Sequence, residues 1–310
     1  MRKVPNSNVK AWMRKSFCCF VLFMGIFAFY PAFAAADIFE ILDPAPDSPY
    51  FYPYGIDGNK MVGRGGGIGY IYNRCQFETF EMPDARYTLP YSIDGRNVVG
   101  IYGDSSGNSH NFLYDGSNWN TIDMPGGYVT DIHDIDDGKI VGTYNEIYDQ
   151  EYSGPEHGFV YDGLTWTTID VPGATQTCAY GISNGRIVGS YSDYYGIHGF
   201  IYDGCQWTTL DMPGSNGYTI CYGIDGDNIV GSYSASDPSQ YAFLYDGSEW
   251  KTLGIPNIDC VTPHAISGNY IVGECWDKDS IGSGFIYTIP EPTTICLFAF
   301  SGMCLRKRTK

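Results

Sequence analysis

The chain has 310 residues, including 39 glycines and 27 tyrosines, and its 35 acidic and 18 basic side chains give a formal net charge of −17. Phosphate binding needs cationic side chains, so this balance argues against a nucleic-acid partner. Glycine-containing turn signals alternate with aromatic and β-branched runs, and this pattern predicts an all-β protein built from many short strands.

The first 36 residues have the pattern of a secretory signal peptide. A basic head ends at Lys15, an apolar run follows from Phe17 to Tyr30, and Ala32-Phe33-Ala34 offers a cleavage site. We therefore expect export. Residues 37–290 hold nine basic and 34 acidic side chains, a formal charge of about −25. An exported protein can form disulfides. The fifteen possible pairings of its six cysteines stay open. They are Cys75, Cys178, Cys205, Cys221, Cys260 and Cys275.

A unit of about 42 residues then repeats six times. Its marker is an apolar pair followed by glycine, at Gly63, Gly100, Gly142, Gly189, Gly231 and Gly273. A complete copy contains four strand-like runs, which in the fourth copy read AYGIS, RIVGSYS, HGFIYDG and QWTTLDMPG. Glycine turns such as Asn184-Gly185 and Asp203-Gly204 predict antiparallel hairpins. The copies lie near 54–90, 91–131, 132–178, 179–220, 221–262 and 263–289.

Six copies of four antiparallel strands predict a six-bladed β-propeller over residues 37–289. The sixth copy stops after its third strand, whereas the mature chain begins with a separate run, IFEILDP. Aligned on Leu-Asp, Phe39 corresponds to Trp207 and Leu42 to Leu210. We therefore predict that residues 38–44 supply the missing strand and close the ring, which removes exposed sheet edges.

The fourth strand of every copy begins with an aromatic residue. We expect these rings to fill the gaps between blades, and a sugar-stacking set is the alternative. The residues are Phe39, Phe77, Trp119, Trp166, Trp207 and Trp250.

The segment GISNGRIVGSYSDYYGIHGFIYDGCQWTTLDMPG, residues 181–214, resembles the HAF-type extracellular repeat of bacteria. The His-Ala-Phe triplet of that family reads His157-Gly158-Phe159 and His198-Gly199-Phe200 here, and it weakens to His110-Asn111-Phe112 and Tyr241-Ala242-Phe243. The resemblance covers most of residues 54–287. It implies an exported surface protein, and it provides no catalytic motif to transfer.

Residues 290–310 resemble the PEP-CTERM sorting signal. Pro290, Glu291 and Pro292 precede an apolar run that ends at Leu305, and the basic residues Arg306, Lys307 and Arg308 follow that run. The resemblance implies an exosortase-type membrane enzyme as partner, removal of the tail, and delivery to the cell surface or extracellular matrix of a Gram-negative-type bacterium. As a helix the apolar run reaches roughly 20 Å, short of a hydrocarbon core of about 30 Å, so membrane contact should be transient. A weak permanent anchor is the alternative.

One position of the first strand is a tyrosine or histidine in every copy. The first strand of a propeller blade lies innermost, so we expect these residues to surround the central channel, with His133 opposite His264. We interpret them as a ligand-binding funnel, and packing of the channel wall is the alternative. Zinc between the two histidines is not expected. Zn–N bonds are about 2.0–2.1 Å, and the channel should hold the two side chains too far apart for one ion to reach both. The set is Tyr54, Tyr91, His133, Tyr180, Tyr222 and His264.

Other polar residues recur at turns and strand starts. His110, His157 and His198 are expected to bond neighbouring loops rather than a metal. Two sets of aspartates are expected to cap their own turns, and calcium binding by clustered loop carboxylates is the alternative. No other cofactor is expected. The first set is Asp57, Asp94, Asp136 and Asp225, and the second is Asp115, Asp162, Asp203 and Asp246.

These features favour an exported, non-catalytic surface or matrix protein that either binds glycan or another envelope component or serves as a displayed structural module. Extracellular polysaccharide is the expected partner of a binding protein. The five arginines of the mature region are scattered, and no nucleophile motif stands on a strand–turn–helix. The alternative is a polysaccharide-active hydrolase or lyase with its site at the channel mouth, because propellers also host enzymes.

Overall fold

The computed structural model describes residues 38–149, 152–236, 239–255, 258, 260–277 and 282–290. Across these residues the chain forms six four-stranded antiparallel sheets around a common axis, which confirms the predicted six-bladed β-propeller. No helix within the described ranges is long and apolar enough to cross a membrane. The predicted leader and the sorting tail after Pro290 lie outside the described residues.

Each of the first five blades follows the chain order of its four strands, and the innermost strand is always the first. The first blade contains β2 (Tyr52–Asp57), β3 (Lys60–Gly65), β4 (Ile68–Tyr72) and β5 (Phe77–Phe80). The second contains β6 (Tyr87–Asp94), β7 (Asn97–Gly103), β8 (Ser109–Tyr114) and β9 (Trp119–Thr121). The third contains β10 (Gly127–Asp136), β11 (Lys139–Asp149), β12 (Tyr152–Tyr161) and β13 (Trp166–Ile169). The fourth contains β14 (Gln176–Ser183), β15 (Arg186–Ser192), β16 (Ile197–Tyr202) and β17 (Trp207–Thr209). The fifth contains β18 (Thr219–Asp225), β19 (Asn228–Ser234), β20 (Gln240–Tyr245) and β21 (Trp250–Leu253).

The sixth blade combines the two ends of the domain. Its inner strands are β22 (Cys260–Ser267), β23 (Tyr270–Trp276) and β24 (Gly282–Thr288), and its outer strand is β1 (Ile38–Ile41). Phe39 of β1 lies opposite Tyr287, just as Trp207 lies opposite Tyr202 in the fourth blade. The predicted alignment of the closing strand is therefore confirmed, and the ring is closed by strand pairing.

The hydrophobic core is divided into six clusters, and each cluster lies between two consecutive blades. Between the third and fourth blades, for example, Val141 and Ile169 pack with Ile187 and Phe200, and Trp207 covers them. Phe200 is 1% exposed. Burying such a side chain contributes about 1.5–3 kcal/mol. Each of the six clusters is also contacted by one of the aromatic residues that begin the outer strands. These residues therefore fill the gaps between blades, as expected.

The repeated glycine of the second strand is explained by a close approach of two backbones. A Cβ on Gly189 would overlap the carbonyl oxygen of Cys178 on the neighbouring strand, and a Cβ on Gly231 would overlap that of Ile220. The equivalent glycines of the other four blades meet a first-strand carbonyl in the same way. The marker glycine is therefore required by packing against the innermost strand.

The six cysteines of residues 37–290 are all free thiols in the described part of the chain. Cys178, Cys221 and Cys275 are buried, and Cys75 and Cys205 are exposed. None of the fifteen disulfide pairings is formed in this structure.

Candidate functional site

The six predicted channel residues share one backbone feature that explains their direction. In every blade the pairing of the first and second strands skips one residue, a β-bulge, and that residue is the tyrosine or histidine of the predicted set. In the fourth blade Ala179 pairs with Gly189 and Gly181 pairs with Val188, which leaves Tyr180 unpaired. A bulge re-aims its side chain. Here six bulges place six rings in the channel.

The six rings form an almost continuous wall around the channel axis. Tyr54 contacts Tyr91 and His264, with ring centroids 5.5 and 5.0 Å apart. Tyr180 contacts His133 at 4.9 Å and Tyr222 at 5.5 Å. Tyr222 and His264 are 6.4 Å apart.

Together with Asp131, these six residues line a cavity of about 330 Å³ at the end of the channel where the innermost strands begin. The structure thus brings the whole predicted set together in one cavity. Whether the cavity binds a ligand stays a prediction.

Three of the six ring residues form a hydrogen bond with a side chain on the second strand of the same blade. Arg64 donates from Nε to the Tyr54 hydroxyl over 2.7 Å, and His133 Nε2 lies 3.1 Å from the Thr143 hydroxyl. Ser232 lies 3.3 Å from the Tyr222 hydroxyl. These strand-two residues follow the marker glycine directly. The matching residue of the second blade is Ile101, which offers Tyr91 no polar group.

Burial keeps the ring residues uncharged at neutral pH. It lowers the pKa of both His133 and His264 to about 4 and raises the pKa of Tyr222 to about 12. It also raises the pKa values of Tyr54, Tyr91 and Tyr180. The nearby Arg64 guanidinium adds to the lowering at His264. The cavity wall is therefore a set of neutral aromatic groups that can donate and accept hydrogen bonds.

Among the described residues, Asp131, Glu156, Glu274 and Arg64 carry charges that act on the ring of tyrosines. Asp131 is half-buried, and burial together with the charge of Glu156 raises its pKa. Glu156 accepts a hydrogen bond from the Cys178 thiol over 3.0 Å. On the sixth blade, burial raises the pKa of Glu274. The positive charge of Arg64, on the first blade, partly lowers it again. Three carboxyl groups and one guanidinium therefore make this end acidic.

One blade interrupts the symmetry of the ring deeper in the channel. The residue after the ring residue is glycine, serine or alanine in five blades, but in the third blade it is Asp134. Its carboxylate accepts hydrogen bonds from the Ser92 hydroxyl at 2.5 Å and from the amides of Ile135 and Ile182 at 2.9 and 2.8 Å. Burial raises its pKa to about 6 despite these bonds. Asp134 therefore ties the second, third and fourth blades together.

The other end of the channel is lined by the last residues of the innermost strands, and here one expectation is wrong. Asp57, Asp94, Asp136 and Asp225 do not cap their own turns; each accepts a hydrogen bond from a turn amide of the next blade. The donors are the amides of Gly95, Asp137, Asn184 and Gly268, at 2.9, 3.0, 2.7 and 2.6 Å. Ser183 and Ser267 accept from Gly226 and Gly58 in the same way. Strand twist places each turn beside the next blade, so six bonds close a circle around the channel.

The second set of aspartates behaves as expected. Asp203 accepts from the amides of Cys205 and Gln206 at 2.8 and 2.7 Å, so it caps its own turn. Asp115, Asp162 and Asp246 make the same pair of bonds. These bonds stabilise the ionised form and lower the pKa of each of the four carboxyl groups.

The three outer histidines form the expected hydrogen bonds with nearby residues. His110, His157 and His198 each place Nδ1 against the aspartate at the end of the fourth strand of the same blade, at 2.6, 2.8 and 2.8 Å. No group of three or more His, Cys, Asp or Glu in the described residues is arranged to hold a metal ion.

Comparison with known proteins supports the fold. No protein-family model and no curated protein matches the chain. Among solved structures, TolB from Acinetobacter baumannii matches with a TM-score of 0.50 and 12% identity over 78% of this chain and 64% of its own. Pyrococcus horikoshii acylaminoacyl peptidase matches with a TM-score of 0.50 and 10% identity over 77% of this chain and 45% of its own. Aleuria aurantia lectin matches with a TM-score of 0.49 and 13% identity over 77% of this chain and 93% of its own. At these identities the likeness is one of fold alone.

Sequence reasoning missed four features of the site. The bulges, the strand-two partners such as Arg64 and Thr143, and the link through Asp134 all depend on register across strands. Asp131 becomes a lining residue only when the blades assemble around the channel. Asp134 left a signal, because it stands where the aligned copies have small residues.

Proposed function

We propose that this protein is an exported, non-catalytic binding protein that holds a glycan or another envelope component in its channel cavity. The observation that carries the proposal is the set of six bulged aromatic residues around a cavity of about 330 Å³. Ligand pockets are typically about 300–1,000 Å³, so the cavity suits one or two sugar residues at the end of a chain.

The chemistry of the wall fits a sugar. Tyrosine hydroxyls and neutral imidazoles can donate to and accept from sugar hydroxyls, and the rings offer apolar surface to the C–H groups. Hydrogen bonds from Arg64 and Ser232 hold the hydroxyls of Tyr54 and Tyr222 in place before a ligand arrives. A wall ordered in advance loses little side-chain entropy on binding.

Export is proposed from the sequence. The leader pattern, the sorting tail and the HAF-type repeats all point to the cell surface or matrix, with an exosortase-type enzyme as processing partner. A formal charge of about −25 over residues 37–290 keeps a surface particle soluble and repels anionic lipid.

A second candidate is a glycan-cleaving enzyme that uses the same cavity. The observation that favours it is the raised pKa of two carboxyl groups near the cavity, Asp131 and Glu274. Glycosidases use a carboxyl pair of which one member is protonated. We favour binding because Glu274 does not line the cavity: its Oε1 lies 3.9 Å from His264 Nε2, and its carboxyl group interacts with Arg64.

The test measures binding of the protein to the extracellular polysaccharide of its host, with and without calcium, while released reducing ends are assayed. We expect saturable binding without sugar release, and Tyr180→Leu should weaken it about tenfold. Tyr194→Leu is the matched control, because Tyr194 is 94% exposed on the hairpin between β15 and β16. Absence of binding would reject the proposal, and sugar release that is lost in Asp131→Asn would favour the enzyme. A calcium requirement would turn attention to the loop aspartates.

A further inference from the structure

The charge of the channel cavity is concentrated in one residue. Of the seven described residues that line it, four are tyrosines, two are histidines and one is Asp131. The tyrosines and histidines are uncharged at neutral pH, for the reasons given above. The carboxylate of Asp131 thus faces a cavity with otherwise neutral aromatic walls.

Within the described ranges, no side chain neutralises the charge of Asp131. Among the described residues its carboxylate has no hydrogen bond and no salt bridge, in contrast to Asp134, which accepts three hydrogen bonds. The nearest charge that acts on it is Glu156, which is also negative. Since a half-buried carboxylate without a partner is costly, the site favours a cation from outside.

Arg64 does not supply that cation. Its Nε is bonded to the Tyr54 hydroxyl at 2.7 Å, and its guanidinium lies 5.9 Å from the Tyr52 ring centroid and 5.8 Å from that of Tyr54. It acts on Glu274, the carboxyl group on the same side of the channel. The negative charge of Asp131 and Glu156 on the third blade therefore remains.

The surroundings favour an organic cation over a metal ion, since no group of three or more His, Cys, Asp or Glu among the described residues is arranged to hold a metal. Calcium takes six to eight oxygen ligands and magnesium a near-ideal octahedron. One carboxylate among neutral phenols and imidazoles cannot supply either set. An organic ammonium group needs no such ligand set. Aromatic rings attract it directly, and a single carboxylate neutralises its charge.

We propose that the channel cavity binds an organic ammonium group, with the tyrosine rings as its cage and Asp131 as its counterion. The inference rests on the proposed function and narrows its ligand to a glycan that carries a free amino group, such as a de-N-acetylated amino sugar. A small free amine presents the same chemistry, so the experiment separates the two sources.

The experiment uses protein produced from the full-length chain and three probes in titration calorimetry. The probes are a chito-oligosaccharide with free amines, the fully N-acetylated oligosaccharide of the same length, and tetramethylammonium. We expect the free-amine sugar to bind at least tenfold more tightly than its acetylated counterpart. Added salt should weaken that binding, because charge attraction is screened.

Four variants locate the interaction. Asp131→Asn keeps the shape of a side chain that bonds to no described residue, and it should weaken binding of the free-amine sugar about tenfold or more. Asp84→Asn is the matched control, since it makes the same change on an exposed residue of the loop leading into β6, at the same end of the channel. Tyr91→Phe keeps the ring and should bind within about twofold of the parent, whereas Tyr91→Leu removes the ring and should bind about tenfold more weakly.

The outcomes separate the two proposals. Equal binding of both sugars, or unchanged binding in Asp131→Asn, would overturn the ammonium inference and leave the glycan proposal standing. Binding of tetramethylammonium alone, lost in Asp131→Asn, would support the ammonium site and reject the glycan as its source. If no probe binds a protein whose thermal unfolding is intact, the ammonium inference fails, and binding to the host polysaccharide still decides the proposed function.

Discussion

Replacing His133 with tyrosine should make the protein more resistant to acid. Burial lowers the pKa of His133 to about 4, from its ordinary value of 6.5. The difference of about 2.5, at about 1.4 kcal/mol for each pKa unit, corresponds to about 3.4 kcal/mol. The cavity admits some water to the ring, so this is an upper value. Four blades already have tyrosine here, and Tyr222 next to Ser232 shows how a tyrosine fits beside a strand-two hydroxyl.

The sign follows from proton binding by the two states. Between about pH 6.5 and pH 4 the unfolded chain holds a proton on this histidine and the folded chain does not. The stability that the neutral ring contributes is therefore complete above pH 6.5 and is lost as the pH falls through 4. Asp134 acts in the opposite direction, because its folded pKa of about 6 lies above its ordinary value of 3.8. Its contribution is complete below 3.8 and is lost as the pH rises through 6. The contribution of His133 is therefore obtained as the difference in unfolding free energy between the variant and the parent protein at each pH, because Asp134 contributes equally to both.

The assay is urea denaturation followed by tryptophan fluorescence at pH 7, 6, 5 and 4. We expect the free energy of unfolding of His133→Tyr, relative to the parent, to rise by up to about 3 kcal/mol from pH 7 to pH 4. The reciprocal change, Tyr180→His, should make the parent more sensitive to acid over the same range. A constant difference between His133→Tyr and the parent across these pH values would refute the reasoning.

Three further changes test the fold. Gly231→Ala should lower the free energy of unfolding by about 3 kcal/mol or more, because the new methyl group meets the Ile220 carbonyl. The control is Gly254→Ala, where the methyl group has open space. It should change the free energy of unfolding by less than about 0.5 kcal/mol in the same urea assay. Phe39→Ala should cost about 2 kcal/mol and speed amide exchange in β24, because it removes ring contacts with Phe285 and Tyr287 at 5.8 and 4.7 Å; unchanged exchange would contradict closure by β1. Ser267→Ala should cost about 0.5–1 kcal/mol and expose the Gly58 amide to faster exchange, because it opens the circle of bonds between the last and first blades.

The repeat made the architecture predictable, because each of its signals depends on local sequence. The turn at Asn184-Gly185 and the cap at Asp203 follow from residue type alone, and the alignment of Phe39 with Trp207 predicted the closing strand. The alignment of six copies also identified strands whose assignment would be ambiguous in a single copy.

The site was predictable only as a list of residues. The position of Tyr180 and its counterparts could be read from the aligned copies, but the bulge that turns each of them inward depends on how two strands pair. The aspartates of the first set were assigned to their own turns, because sequence gives no measure of the twist that brings Asp57 to the amide of Gly95 in the next blade. Asp131 was not predicted as a site residue, because it becomes a channel residue only when the third blade takes its place in the ring.

A crystal structure of the protein with the free-amine chito-oligosaccharide would test the central claim most directly. The account predicts a sugar within the ring of Tyr54, Tyr91, Tyr180 and Tyr222, with its amino nitrogen about 3 Å from a carboxylate oxygen of Asp131. A sugar bound elsewhere on the propeller while the channel cavity holds only water would contradict it.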